Sequence, residues 1–287
     1  MPELPEVETI ARGLKNHLLT KKIASVRLNR RKLRYQISDD YEEMLNGRQI
    51  THIKRRAKYL ILELQNSQLY GALCLIFHLG MTGKLLYLPN ATQAGSKNAE
   101  YLQHKHSHII FSFTDGASLI FNDARRFGYS FICGGENLPQ HKFFANLGIE
   151  PLSDEFNGEF LHRITRGRTQ SIKSFLLNQK FIVGVGNIYA SESLFLAGIS
   201  PFKPANQINI TQAKTLSQSI KEILNAAITS GGSSLRDYVR SSGDVGSFQH
   251  KFAVYGRQGK KCTQCGNIIE KITQNNRSTF FCSNCQP

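Results

Sequence analysis

The sequence predicts an α+β protein of three parts: a β-rich N-terminal region, a helical middle region and a short C-terminal zinc ribbon. Three observations predict this division. Apolar residues alternate or run together in short segments as far as residue 121, they recur at helical spacing between residues 160 and 229, and four cysteines lie in the last 26 residues. We place the domain boundaries at 1–150, 151–240 and 241–287.

The N-terminal region is expected to begin with a helix. Its apolar residues at helical spacing are Val7, Ile10, Ala11, Leu14 and Leu18. The helix starts just behind Pro2, which places Glu3 and Glu6 near its positive end. Strands are predicted from the apolar or alternating runs 23–28, 50–53, 59–64, 73–78, 84–88, 108–113 and 118–121.

The middle region has helical periodicity and little strand signal. Helices are predicted at 160–166, 172–178, 188–197 and 211–229, whereas the polar segment 90–100 is expected to be an exposed loop. Asn187 follows Gly184-Val185-Gly186 at a predicted helix start. No strand-based unit with a later acidic residue accompanies these glycines, so they indicate a phosphate clamp at a helix N-terminus and not a dinucleotide site.

The cysteines at the C-terminus form two C-x2-C pairs with 16 residues between them, a spacing typical of one structural zinc ion. The four predicted ligands are Cys262, Cys265, Cys282 and Cys285. A pair of disulfides is the alternative, but it requires an oxidising compartment. The N-terminus lacks the regions of a secretory signal, so we expect a cytoplasmic protein. Cys74 and Cys133 lie in apolar runs and are expected to be small buried hydrophobic residues.

The charge of the chain indicates a polyanionic partner. Lys and Arg number 36 against 21 Asp and Glu, a net charge of +15. The last 39 residues contain six cations and one acid, Glu270. Nucleic acid fits this charge best, because no stretch approaches the roughly 20 apolar residues of a membrane-spanning helix and no basic amphipathic helix is evident.

Pro2 is a candidate nucleophile. Removal of Met1 gives a free secondary amine, and α-amino groups titrate at about 7.7–8.0, so a useful fraction is neutral near pH 7. Such an amine can attack an aldehyde carbon and form an iminium, which withdraws electrons. The alternative is that Pro2 only starts a helix.

Six motifs together give the chain a resemblance to a known family. They are Pro2-Glu3-Leu4-Pro5-Glu6, Arg55-Arg56-Ala57-Lys58-Tyr59, His78-Leu79-Gly80-Met81-Thr82-Gly83, Asn122-Asp123-Ala124-Arg125-Arg126-Phe127-Gly128, Gly184-Val185-Gly186-Asn187-Ile188-Tyr189-Ala190 and the four-cysteine ribbon. In this order the chain resembles the bacterial formamidopyrimidine-DNA glycosylases over essentially its whole length. The resemblance implies an N-terminal β-sandwich with flanking helices, a helix-two-turns-helix domain and a zinc finger.

The resemblance also implies a bifunctional activity on double-stranded DNA that contains oxidised purines or abasic sites. Pro2 would attack C1′ of the damaged nucleoside and displace the base, with Glu3 as general acid and base. Lys58 would assist the following β-elimination and Arg277 the δ-elimination. Because an arginine is always charged, phosphate binding is the other interpretation of Arg277.

Further residues are implied to contact DNA. A nucleotide must leave the base stack before its base can be excised, and Met81, Arg125 and Phe127 are expected to fill the gap. The alternative is that Met81 and Phe127 belong to the core and that Arg125 is an ordinary surface charge.

Four residues are further candidates for phosphate contacts, in addition to Asn187. The candidates are His78, His106, Arg168 and Lys173, and the alternative is that they are solvated surface groups or satisfied buried polar groups. The segment 231–238 would be a lid that recognises the extruded purine.

Two other classes of protein remain possible from the sequence. An endonuclease VIII-type glycosylase would prefer oxidised pyrimidines, and a DNA-binding protein without activity would use the basic charge and the zinc ribbon alone. Nothing in the sequence predicts more than a monomer.

Overall fold

Two four-stranded antiparallel sheets form the centre of the N-terminal region. The computed structural model describes residues 1–89, 99–233 and 246–287. In spatial order, the first sheet consists of β1 (Ile23–Leu28), β6 (Ser107–Phe113), β7 (Ser118–Asn122) and β5 (Lys84–Leu88). The second sheet consists of β2 (Ile50–Arg56), β3 (Tyr59–Ser67), β4 (Gly71–His78) and β8 (Tyr129–Gly134).

The inner faces of both sheets contribute to one hydrophobic core, which confirms the predicted β-sandwich. The Phe77 ring of the second sheet lies 5.8 Å from the Phe111 ring and 5.7 Å from the Phe121 ring of the first, measured between centroids. Such aromatic pairs fix how two sheets interdigitate, because their preferred geometries are edge-on or tilted.

Helix α1 (Leu4–Leu18) packs on this core through one apolar face, where Val7, Ile10 and Leu14 are buried. Glu3 is its N-cap, and Pro5 lies in the first turn, where a missing N–H costs nothing. The helix therefore begins where the sequence predicts. A short helix α2 (Tyr41–Leu45) was not predicted, since five residues carry too little periodicity.

Four helices follow in the middle region: α3 (Gly158–Thr165), α4 (Ile172–Leu176), α5 (Asn187–Leu196) and α6 (Ile210–Thr229). All four were predicted within a few residues. Helix α6 starts with a capping box, in which Asn209 Oδ1 accepts from the Gln212 amide at 2.8 Å and Gln212 Oε1 accepts from the Asn209 amide at 3.3 Å.

The C-terminal segment carries a hairpin of strands β9 (Glu270–Gln274) and β10 (Arg277–Phe281). Its two-residue turn places Asn275 at φ 49° and Asn276 at φ 59°. Asparagine tolerates this left-handed region better than most residues, and a turn with two such residues matches the twist of the strands.

The chain divides into two compact units. One contains residues 1–145 with the described residues of 231–247, and the other contains 146–230 and 248–287. The boundaries at 150 and 240 stay a prediction. Among the described helices, none is both long and apolar enough to cross a membrane. The predicted loop 90–100 lies outside the described residues except for its last two.

Candidate active site

Pro2 and Glu3 lie directly before the first residue of α1, in the unit that contains the sandwich. Both residues are buried, with Glu3 only 3% exposed, whereas Met1 is 47% exposed. The residue that blocks the prolyl nitrogen therefore lies at the surface. The Glu3 backbone N–H donates to Glu6 Oε2 at 2.8 Å in a capping box, so the carboxyl-bearing residue beside Pro2 has a defined position.

Glu6 makes a second set of contacts that the sequence did not predict. Its Oε1 accepts hydrogen bonds from the Ser233 backbone N–H at 2.8 Å and from the Ser233 hydroxyl at 2.9 Å. One buried carboxylate thus joins the Glu3 backbone to residue 233. Of the predicted lid 231–238, residues 234–238 lie outside the described residues.

Lys58 occupies the turn between β2 and β3 and is 7% exposed. The preceding Ala57 has φ 54°, which is unusual for alanine and marks a tight turn. Arg55 ties this turn to α1, because its Nε donates to Glu8 Oε2 at 2.9 Å and its Nη1 donates to the Ala57 carbonyl at 3.0 Å. Burial opposes ionisation of Glu8, but hydrogen bonds from Arg12 and Arg55 outweigh it and lower the pKa of Glu8.

His78, at the end of β4, lies among aromatic rings near Lys58. It stacks on Tyr129 with 5.0 Å between ring centroids, and its Nδ1 accepts from the Gly80 N–H at 3.1 Å. Burial, assisted by the charges of Lys58 and Arg34, lowers the pKa of His78 to about 3. His78 is therefore neutral at physiological pH, and any phosphate contact would use an uncharged Nε2–H.

Acid is expected to destabilise the native protein through His78. Between pH 6.5 and 3 the unfolded chain binds a proton at this residue that the native protein does not bind. The free energy of unfolding therefore falls as the pH decreases, by at most about 1.4 kcal/mol per pH unit. Denaturant unfolding at pH 6.5 and 4.5 should show a smaller loss for His78→Gln than for the wild type. Equal losses in the two proteins would contradict this assignment.

The three predicted wedge residues lie in two adjoining loops. Met81 is 38% and Phe127 is 42% exposed, so the alternative that they belong to the core does not hold. The Arg125 guanidinium lies 4.6 Å from the centroid of the Phe127 ring. The guanidinium thus lies over the exposed ring, and Met81 is exposed in the adjoining loop.

Buried Asp123 holds these two loops together. Its Oδ2 accepts from the Gly128 N–H at 2.7 Å and its Oδ1 from the Thr82 hydroxyl. At Gly80 (φ 62°), a β-carbon would lie 2.4 Å from the Gly128 nitrogen, so only glycine permits the approach of the loops. His106 lies beside them, since its carbonyl accepts from the Asp123 N–H at 2.9 Å.

A basic pocket of about 610 Å³ adjoins the wedge residues. It is lined by Arg30, Lys32, Leu33, Arg34, Arg125, Arg126 and Phe127. Within the described residues, none of its five cationic groups forms an ion pair. Sequence reasoning missed the cations of residues 30–34, although the run Arg-Arg-Lys-Leu-Arg is a signal for a polyanion site.

In the second unit, Asn187 begins α5 and contacts the hairpin of β9 and β10, called the zinc hairpin below because it lies between the two cysteine pairs. Its Nδ2 donates to the Ser278 carbonyl at 2.9 Å, while its buried Oδ1 has no partner among the described residues. Arg277, the neighbour of Ser278, is exposed at the start of β10. Arg168 is also exposed, and its guanidinium lies 4.8 Å from the Phe181 ring centroid, on a pocket of about 290 Å³.

Lys173 requires a correction. It was a candidate phosphate contact, but it is 1% exposed, and its Nζ donates to the Ser278 carbonyl at 3.0 Å and to Thr279 Oγ1 at 2.8 Å. An ammonium group in this position is a satisfied buried polar group, which was the alternative interpretation. Periodicity could not reveal this, because the partners of Lys173 lie more than 100 residues away.

The four predicted zinc ligands lie together. Their sulfur atoms are within 4.8 Å of one another, with Cys265 and Cys282 at 3.5 Å and Cys262 and Cys285 at 3.9 Å. Tetrahedral zinc with Zn–S bonds of about 2.3 Å requires sulfur atoms about 3.8 Å apart. The cluster therefore fits one structural zinc ion, and its four thiolates leave no open position for catalysis. Of the other cysteines, Cys74 is buried as expected, whereas Cys133 is partly exposed.

Comparisons with known proteins agree with this arrangement. Family models match residues 1–130 (formamidopyrimidine-DNA glycosylase N-terminal domain), 147–239 (formamidopyrimidine-DNA glycosylase H2TH domain) and 259–287 (zinc finger found in FPG and IleRS). A formamidopyrimidine-DNA glycosylase of Wolbachia pipientis subsp. Culex pipiens is 48% identical over 286 residues, covering 100% of both chains.

Solved structures of Lactococcus lactis Fpg are similar to the whole chain. A mutant in complex with DNA containing Fapy-dG has a TM-score of 0.88 and 35% identity, and Fpg with DNA containing an abasic site has a TM-score of 0.87 and 34% identity. Each comparison covers 99% of both chains. The family models match all three parts of the chain, and the relatives and solved structures match it over its full length. The chain therefore belongs to the formamidopyrimidine-DNA glycosylase family, the DNA glycosylases of base-excision repair.

Proposed function

We propose that this DNA glycosylase is bifunctional, excising oxidised purines such as 8-oxoguanine and formamidopyrimidines and then cleaving the strand at the abasic site. The observation that carries the proposal is the start of α1. The exposed Met1 precedes Pro2, and a buried carboxyl-bearing residue, Glu3, follows it directly. A nucleophile next to a general acid and base is the arrangement that this chemistry needs.

The first step would be attack of the Pro2 nitrogen on C1′ of the damaged nucleoside. A bond forms between nitrogen and C1′ as the bond from C1′ to the base breaks; the nitrogen loses its proton, and the departing base takes one up. The ring oxygen then leaves C1′ with a proton, and the nitrogen lone pair completes the iminium of the opened sugar. Glu3 would transfer protons at the sugar. A secondary amine suits this role, because its iminium has no N–H proton left to lose and therefore stays positively charged.

The second step would be elimination. The iminium makes the C2′ hydrogen acidic, so its removal expels the 3′ phosphate, and a further elimination releases the 5′ phosphate. Lys58 is proposed to assist the first elimination from its turn, which Arg55 ties to the helix that carries Pro2. For Arg277 we favour contact with a phosphate, with assistance of the second elimination as the other role.

The partner would be double-stranded DNA, and the expected location is the cytoplasm of a bacterium. Met81 and Phe127 offer exposed apolar surface for the gap left by an extruded nucleotide, whose extrusion costs a few kcal/mol. The basic pocket beside them would hold phosphates. Asn187, Arg168 and the exposed Arg277 would add phosphate contacts, whereas Lys173 is not proposed as one.

Borohydride trapping tests this function. With an 8-oxoguanine–cytosine duplex, the protein whose N-terminus is Pro2 is expected to form a covalent adduct with DNA, because borohydride reduces the iminium to a stable amine. The matched control is the same protein with an uncleaved N-terminal extension, which should bind the duplex and form no adduct.

Two outcomes would refute the proposal. An adduct of equal yield from the extended protein would exclude Pro2 as the nucleophile. Binding without an adduct from either protein would indicate a DNA-binding protein without lyase activity. The substrate class is tested by comparing the release of the two damaged bases from matched duplexes. Faster release of thymine glycol than of 8-oxoguanine would indicate an endonuclease VIII-type specificity.

A further inference from the structure

The turn of the zinc hairpin is hydrogen-bonded to the start of α4. Gln274 Nε2 donates to Ser171 Oγ at 2.6 Å, and Asn275 Nδ2 donates to Ser174 Oγ at 2.7 Å. The two hydroxyls are themselves linked, because Ser171 Oγ donates to Ser174 Oγ at 2.9 Å. We call these four residues, Ser171, Ser174, Gln274 and Asn275, the hairpin latch.

The other side of the hairpin is held as well. Lys173 Nζ and Asn187 Nδ2 both donate to the Ser278 carbonyl, at 3.0 and 2.9 Å. Thr279 Oγ1 accepts from Lys173 and donates to Gln274 Oε1 at 3.1 Å. Residues 274–275 and 278–279 are therefore both anchored, and Arg277 lies between them with its side chain exposed.

A two-stranded hairpin needs such anchoring. An isolated pair of strands is marginally stable in water, and β9 is almost entirely exposed, so the hairpin buries little apolar surface near its turn. Its apolar contacts are at the other end, where Phe280 packs with the zinc cysteines and Val254. Without the hydrogen bonds at the turn, the end of the hairpin that carries Arg277 would be mobile.

We propose that the hairpin latch is a positioning device that fixes the backbone of Arg277, so that its guanidinium meets a DNA phosphate in one orientation. The proposal rests on the proposed role of Arg277. The latch residues touch neither DNA nor the reacting atoms; they act through Arg277. Pre-organisation of this kind increases affinity, because less conformational freedom is lost on binding.

The turn offers a matched pair of variants. Asn275→Gly removes a latch amide, and glycine keeps the left-handed backbone that this position requires. Asn276→Gly makes the same chemical change at the next residue, which has φ 59° and no side-chain hydrogen bond among the described residues. Both proteins should contain one zinc ion, which metal analysis checks.

We expect Asn275→Gly to weaken binding of an undamaged duplex about two- to tenfold, the range for one lost hydrogen bond, and Asn276→Gly to leave it unchanged. In a double-mutant cycle, Arg277→Ala should cost less affinity in the Asn275→Gly background than in the wild type. Full additivity, or wild-type affinity of Asn275→Gly, would overturn the proposal.

Hydrogen exchange separates this proposal from the role of Arg277. The amides of residues 275–279 should exchange faster in Asn275→Gly than in Asn276→Gly in the absence of DNA. Equal exchange in the two variants would show that the latch does not restrain the hairpin. A different outcome is faster exchange in Asn275→Gly together with no effect of Arg277→Ala on binding. It would show that the latch restrains the hairpin but that Arg277 does not contact DNA, and it would therefore refute the positioning role of the latch.

Discussion

Glu3→Gln is expected to lower the rate of base excision at least 100-fold while lesion binding stays near the wild-type value. Positioned proton transfer contributes about 100- to 10,000-fold to a rate, and glutamine cannot transfer the proton. Glutamine keeps the length of the side chain and an oxygen that can accept the amide hydrogen bond of the capping box. The helix start, and with it Pro2, should therefore keep its position.

Single-turnover release of 8-oxoguanine measures the effect, and a binding titration on the same duplex measures affinity. Glu159→Gln is the matched control, because Glu159 also lies in the first turn of a helix, α3, and forms an ion pair with Lys214 at the surface. An excision rate of Glu3→Gln within a few-fold of the control would remove Glu3 from the mechanism. Loss of lesion binding together with excision would instead assign it a structural role.

Cys282→Ser is expected to release the zinc ion and abolish tight DNA binding. Structural zinc contributes about 10–16 kcal/mol to the folding of small zinc domains, and serine is a poor zinc ligand. Cys282 is fully buried in the small core that contains Val254, Ile269 and Phe280. This core is too small to fold without the metal, so the hairpin that carries Arg277 should lose its structure.

Metal analysis and a salt titration of duplex binding check the result. The control is Cys133→Ser, which changes a cysteine outside the zinc cluster and should retain one zinc ion. The wild type should bind DNA with a steep dependence on salt, and Cys282→Ser should show a weaker dependence because phosphate contacts are lost. Zinc at one ion per chain in Cys282→Ser, or unchanged affinity without zinc, would contradict the prediction.

Local patterns predicted most of the fold because each element carries its own signal. Helix α1 follows from apolar residues at helical spacing behind Pro2, and the sheets follow from alternating runs. The cysteine spacing likewise predicted a cluster that the structure contains. Helix α2 was missed, because one and a half turns show no clear period.

Long-range contacts account for what the sequence did not predict at the candidate site. Glu6 meets Ser233 across a separation of 227 residues. The basic pocket is lined by residues from 30–34 and from 125–127, and no local sequence pattern in either segment predicts that the two lie together. The neutral state of His78 depends on its burial among rings and on nearby Lys58 and Arg34, which a linear pattern does not contain.

By itself, the sequence determined the identity and order of the candidate catalytic and metal-binding groups: a proline behind Met1, a following glutamate, a lysine in a basic segment and four cysteines at zinc spacing. These depend on residue type and local spacing alone. Only the tertiary structure decided which cationic side chains are buried and which are exposed to solvent. Lys173 is enclosed by Ser278 and Thr279, whereas Arg277 is exposed, because burial arises from the packing of segments about 100 residues apart.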